Sequence, residues 1–186
     1  MRIAPTGRSQ QGVSLLLFLF IVLCLSTTFF ITSLISDTAR LALDKRTEEA
    51  LAAAKEALIG RAARDDNRPG SLPCPDTNGD GLAESFSGPN CPAYIGRFPY
   101  KTLKTGELRD ASGELLWYVL SPSLRDHPSA SPINLNTPAT LSLDAISNVA
   151  AIIIAPGSPL PGQNGRPSNL ISDYLDGSNA DGNSGY

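Results

Sequence analysis

The sequence predicts an α+β protein: a long N-terminal helix, membrane-spanning in its first half, packed on a small β-rich globular head. Three observations carry that expectation. Residues 13–35, VSLLLFLFIVLCLSTTFFITSLI, form an uncharged run without Gly or Pro. Neither Gly nor Pro occurs anywhere between Gly12 and Gly60. From residue 66 onward, 27 of 121 residues are Gly or Pro, a composition that suits short strands joined by turns.

As a helix, 13–35 is about 35 Å long. A bilayer's hydrocarbon core is about 30 Å thick, so the run suits a span with some tilt. A removable signal peptide has an apolar region of roughly 7–15 residues and ends in a small-residue cleavage site. This run is longer, and its end, TSLISDTARLA, offers only poor sites. Cys24 follows Val22 and Leu23, whereas a lipidated cysteine needs a small residue just before it. Charge barely orients the segment, because Arg2 and Arg8 precede it while Arg40, Lys45 and Arg46 follow it.

The helix is expected to continue through 36–65, which is rich in Ala, Leu, Glu, Lys and Arg. Leu34, Leu41, Leu51 and Leu58, with Ala54 and Ala62, mark an apolar stripe. Arg40 with Asp44 and Lys45 with Glu49 are i,i+4 pairs of opposite charge. Gly60 or the run Asp65-Asp66-Asn67 ends the helix, and Pro69 forbids its continuation. That makes one helix of about 50 residues, roughly 75–80 Å. A coiled coil is the alternative for its second half, but the heptads are few and the alanines many.

The remainder, 66–175, reads as the head, with strand candidates at 97–103, 114–120, 149–155 and, more weakly, 140–143. VAAIIIA at 149–155 is continuously apolar and reads as the core strand. After Pro156 only 169–175 has ordering potential, and 176–186 reads as a loose polar tail. The segments are therefore 1–12, a short basic leader; 13–35, the membrane half of the helix; 36–65, its amphipathic half; 66–175, the head; and 176–186, the tail.

The net charge is -3. Without Arg2 and Arg8 the chain from residue 13 has 13 basic and 18 acidic residues, a net of -5, which argues against nucleic-acid binding. His127 is the one histidine. A Ser-His-Asp site or a His-rich zinc site therefore has little material, no nucleophile elbow occurs, and the chain does not read as an enzyme. Asp126-His127 reads as surface loop, and Trp117 and Tyr118 as core. Cys74 and Cys91 flank a loop-like stretch beside prolines. They read as a disulfide if the head lies outside the cytoplasm, or otherwise as two unrelated buried thiols. Between them lies DTNGDGLAE. Asp76, Asn78 and Asp80 are oxygen donors at every second position, Gly81 permits a sharp bend, and Glu84 adds a carboxylate. This opens like a calcium loop, although its twelfth position is Ser87 rather than a bidentate Glu. The alternative is a polar turn without metal.

The N-terminus, RSQQG followed at once by VSLLLFLFIVL, resembles the type IV prepilin signal of pilins and of type II secretion pseudopilins. DASGELLWYV at 110–119 is similar to the D-x-W-G-x-x-x-x-Y segment of major pseudopilins, with Ser112 in place of the tryptophan. LPCPDTNGDG, the second cysteine, GRFPYKTL and IIIAPG are together similar to a group of pilin-like proteins. The resemblance implies cleavage between Gly12 and Val13 by a prepilin peptidase, then methylation of the new amine. It also implies a pilin-like fold, with the helix held in the bacterial inner membrane as a single pass and the head in the periplasm. Partners would be that membrane, the peptidase and other pilin-like subunits. Two departures matter: Val13 stands where phenylalanine or methionine is usual, and Leu17 where a glutamate is usual. Without that glutamate the amine of Val13 has no partner on its own chain, which favours a minor or tip subunit over a major one.

The function so implied is structural: a pilin-like or pseudopilin subunit of a type IV pilus or type II secretion filament. The alternative is a signal-anchored periplasmic binding domain, with calcium at Asp76, Asn78, Asp80 and Glu84, that joins no filament.

Overall fold

The computed structural model describes residues 11–127, 131–163 and 165–176, without the side chains of 11–13 and 28–39. The chain divides into two units, Met1–Leu43 and Asp44–Tyr186. Helical backbone, α1, runs over Gln11–Arg64. Its side chains are described in two stretches, 14–27 and 40–64, of 14 and 25 residues.

Among the described residues no helix is long and apolar enough to cross a membrane. The second stretch is interrupted by charges from Arg40 through Arg64. The expected fold, a long N-terminal helix with a membrane-spanning first half, is corrected accordingly. So is the expected single-pass anchoring in the bacterial inner membrane with a periplasmic head. Residues 28–35 of the expected span, 1–10 of the leader and 177–186 of the tail lie outside the described residues or side chains.

In the first unit the stretch 14–27 is apolar on every side and exposed, from 72% at Leu15 to 46% at Ile21. Its two hydroxyls turn back on the helix: Ser26 and Thr27 each donate to the carbonyl three residues earlier, at 2.9 Å.

In the second unit α1 presents Ala50, Ala54 and Leu58, one residue per turn, to the core. Gly60 does not stop the helix, which continues to Arg64. The stop is an Asx turn: the Asp65 carboxylate accepts from the amides of Asn67 (3.0 Å) and Arg68 (2.8 Å). Gly70 then donates its amide to the Ala62 carbonyl at 2.9 Å.

The head contains an antiparallel sheet of β1 (Ile95–Arg97), β2 (Trp117–Leu120) and β5 (Ala151–Ile154), in the order β1-β2-β5. A separate hairpin pairs β3 (Leu141–Leu143) with β4 (Ile146–Val149). Tyr118 lies opposite Gly96 on one side and Ile153 on the other. Leu116, Tyr118 and Leu120 point into the core shared with α1, together with Phe98, Leu72 and the two cysteines. Trp117 and Val119 alternate to the other face and are buried as well.

Each predicted strand is trimmed. Candidate 97–103 keeps only its start, because Pro99 cannot donate to a ladder and 100–104 turns. Candidate 149–155 breaks at Ala150 into the end of β4 and β5. The segment 169–175 orders around a short 3-10 turn, Ile171–Asp173.

Candidate functional site

Cys74 and Cys91 are joined, with Cα atoms 5.6 Å apart and a sequence separation of 17. Both are buried in the core, so the bridge ties the loop to the face that α1 covers. Asp76 continues the sheet beyond β1: its amide donates to the Arg97 carbonyl (3.0 Å), and the Arg97 amide donates back. That pairing requires Gly96, because a Cβ there would lie 2.5 Å from the Asp76 carbonyl oxygen.

The Asp76 carboxylate is buried and collects three amides. Oδ1 accepts from Asn78 (3.1 Å) and Gly79 (2.6 Å), and Oδ2 from Gly81 (2.7 Å). Asn78 Oδ1 accepts from the Asp80 amide at 2.8 Å. Asp80 accepts from the Leu82 amide at 2.7 Å and from the Asn78 side-chain amide at 3.2 Å. Glu84 accepts from the hydroxyl and the amide of Thr77 at 2.6 and 3.2 Å. Gly81 sits at φ +85° against the Tyr100 ring, a position that only glycine fills without strain. All four expected calcium donors thus share one loop, and each side chain is turned to groups of that loop. The Lys101 ammonium donates to the Asp80 carbonyl. Among the described residues no three His, Cys, Asp or Glu side chains form a group able to hold a metal.

The second organising carboxylate is Asp110, also buried. Its Oδ1 accepts from the Ser112 amide (2.9 Å) and hydroxyl (2.6 Å) and from the Glu114 amide (3.0 Å). Its Oδ2 accepts from the Gly157 amide at 2.7 Å. The turn that launches β2 is thereby tied to the Pro156-Gly157 corner after β5. Ser112 donates both its amide and its hydroxyl to Asp110. Tyr118 donates its hydroxyl to the Pro73 carbonyl at 3.2 Å, and burial pushes its phenol far above the usual range.

Asp126 and His127 are built into the head. Asp126 pairs with Arg61 of α1 and donates its amide to the Leu72 carbonyl at 2.7 Å. The His127 ring meets Phe86 edge-on at 4.7 Å. Arg61 also reaches Asp65 at 2.9 Å. Burial alone would raise the Asp65 carboxyl; the amides of Arg68 and Asn67, with the Arg61 charge, outweigh it and hold the group below the usual carboxylate value.

Sequence reasoning missed a cluster made by Arg97, Glu114, Trp117, Arg166 and Tyr174. Two guanidinium groups lie over the Tyr174 ring, Arg97 at 4.6 Å and Arg166 at 4.3 Å, and the ring meets Trp117 edge-on at 5.0 Å. Arg97 also covers the Trp117 ring at 4.2 Å. The one available signal was a charge, Arg97, at the start of a strand candidate. Gly12 and Val13, the implied cleavage junction, lie within α1 where side chains are not described. No protein-family model, curated protein or solved structure matches the chain.

Proposed function

We propose that the chain is a structural, pilin-like or pseudopilin subunit of a type IV pilus or type II secretion filament, in a minor or tip position, rather than an enzyme. The observation that supports this most is the helical stretch 14–27, exposed and apolar on every side directly after the Gly12-Val13 junction. A helix apolar all round is stable in water only once covered. Packing against like helices of neighbouring subunits removes that surface at about 25 cal/mol per Å². Leu17 offers no carboxylate to a neighbour's N-terminal amine, which supports the minor position. The test is the intact mass of the chain co-produced with a prepilin peptidase. Loss of residues 1–12 with one methyl gained is expected; a chain that stays uncut overturns the reading.

Calcium at Asp76, Asn78, Asp80 and Glu84 is a second proposal. The alternating oxygens of a disulfide-tied loop support it, and the Lys101 ammonium on the Asp80 carbonyl opposes it. A melting temperature higher in millimolar calcium than in chelator, with the difference lost in Asp80→Ala, is its expected result. Equal melting temperatures refute it.

A further inference from the structure

The three-stranded sheet has two edges, and only one is closed. Beyond β1 the Asp76 backbone pairs with Arg97. Beyond β5, among the described residues, no backbone pairs. The hydrogen-bond pattern identifies the groups left over. The Ser121 amide donates to the Ala150 carbonyl at 3.0 Å, so in this antiparallel pair Ala150, Ile152 and Ile154 turn their amides and carbonyls to β2. Those of Ala151 and Ile153 point to the open edge, and among the described residues they find no hydrogen-bond partner there. β5 carries none of the devices that usually blunt an edge: Ala151–Ile154 has no charge, no proline and no bulge. Its four residues are half-buried, whereas those of β2 are buried throughout.

Beside that edge, between β5 and the second stretch of α1, runs a groove of about 270 Å³. Leu58, Leu72, Ala151 and Ile153 line it, together with Ile59, which is 52% exposed. Lys55 is the one charged residue in its lining; it is exposed and makes no ion pair among the described residues. Ala151 and Ile153 therefore serve both features. Their main chain faces the open edge, and their side chains, on the core face of the sheet, reach the groove. A strand laid along β5 alternates in the same sense, so every second side chain of it enters the groove.

We propose that the β5 edge is a docking site for an extended segment of another polypeptide, which adds a fourth strand to the sheet and turns aliphatic side chains and a carboxylate into the groove. The main chain specifies an extended occupant, because the free donors and acceptors recur at every second residue, the spacing of a strand and not of a helix. The groove specifies the inward side chains: its aliphatic walls reward burial of aliphatic groups. Lys55 specifies the carboxylate by charge complementarity. A second copy meets this requirement poorly. Its own β5 has no carboxylate to answer Lys55, and a two-fold pairing of the edges brings a second Lys55 to the same interface. This inference does not depend on the filament reading.

The probe is the peptide acetyl-Glu-Thr-Val-Thr-Val-Thr-Glu-amide, which presents its glutamates and valines on one face in either direction of approach. The full chain is used, in a mild detergent that covers the stretch 14–27. Before peptide is added, the amides of Ala151 and Ile153 should exchange with deuterium roughly a hundredfold faster than those of Ile152 and Ile154, which bond to β2. The peptide should slow the Ala151 and Ile153 amides saturably. Ala151→Pro removes an edge donor that β2 does not use and should weaken binding about tenfold. Lys55→Glu, an exposed change, should weaken it severalfold and reverse the preference when lysine replaces both glutamates of the peptide. If Ala151→Pro fails to fold, Lys55→Glu alone decides. Ala151 and Ile153 amides already protected before peptide is added, whether always or only as the chain self-associates, show the edge closed by this chain or by a second copy and overturn the proposal. So does millimolar peptide that leaves both amides unchanged, or that binds either folded variant as tightly as the unaltered chain.

Discussion

Two buried carboxylates do at the residue scale what longer secondary structure does in larger domains. Asp110 serves four donors from three residues, and one of them, Gly157, lies 47 residues along the chain from it. Asp110→Ala leaves the amides of Glu114 and Gly157 without acceptors in a dry site. It should cost about 3 kcal/mol in chemical denaturation, and Asp110→Asn, which keeps an acceptor, distinctly less. Asp65 acts at the helix stop and adds a pH dependence. Its carboxyl is held low in the folded chain, despite burial, by the Arg68 and Asn67 amides and by Arg61. A carboxyl so depressed contributes stability above its unfolded value, near 4, and that contribution is lost as pH falls through the lower folded value. The stability difference between the unaltered chain and Asp65→Asn should therefore be full at about pH 6 and close as pH falls below about 4. A difference unchanged down to about pH 2 would show that Asp65 acts only through geometry.

Among the elements, the disulfide loop and the second stretch of α1 hold the sheet from one side. Strands of three and four residues are too short to be stable by themselves. They persist because β2 is covered on both faces and because the loop from Cys74 extends the sheet through Asp76. Cys74→Ser with Cys91→Ser opens a loop of 17 residues and should lower stability by about 3 kcal/mol, read as a shift in the denaturant midpoint. Ala54, fully buried where α1 meets the sheet, is small because the helix lies close there. Ala54→Leu should overpack that contact and cost about 1–3 kcal/mol, measured by thermal melting.

For the whole molecule, the two units are described separately, and the proposed function divides along them. The second unit, from Asp44 onward, has its own core and disulfide. The stretch 14–27 is exposed and apolar, and on the filament reading proposed above it is the part that meets other subunits. Leu19→Asp should therefore abolish co-assembly with partner subunits, as read by cross-linking or filament recovery, while the head melts unchanged. A head destabilised by Leu19→Asp would show that the two tasks are not separable.

What was legible in the sequence was local. The disulfide partners stood out because two proline-flanked cysteines in a turn-rich stretch have few other uses. β2 and β5 were found through continuous apolar runs, and the second part of α1 through Ala, Leu and Glu content with a stripe at Ala54 and Leu58. Strand ends were not legible, since they depend on where a partner backbone stops. The expectation of a membrane span counted uncharged residues along the chain. Among the described residues no helix is both long and apolar enough to cross a membrane. Only the tertiary structure brought Arg97 to Tyr174 across 77 residues and set Arg166 over the same ring. The reason is physical. Periodicity and turn chemistry act over a few residues, whereas a buried charge can be tolerated only where folding delivers its partners from elsewhere in the chain.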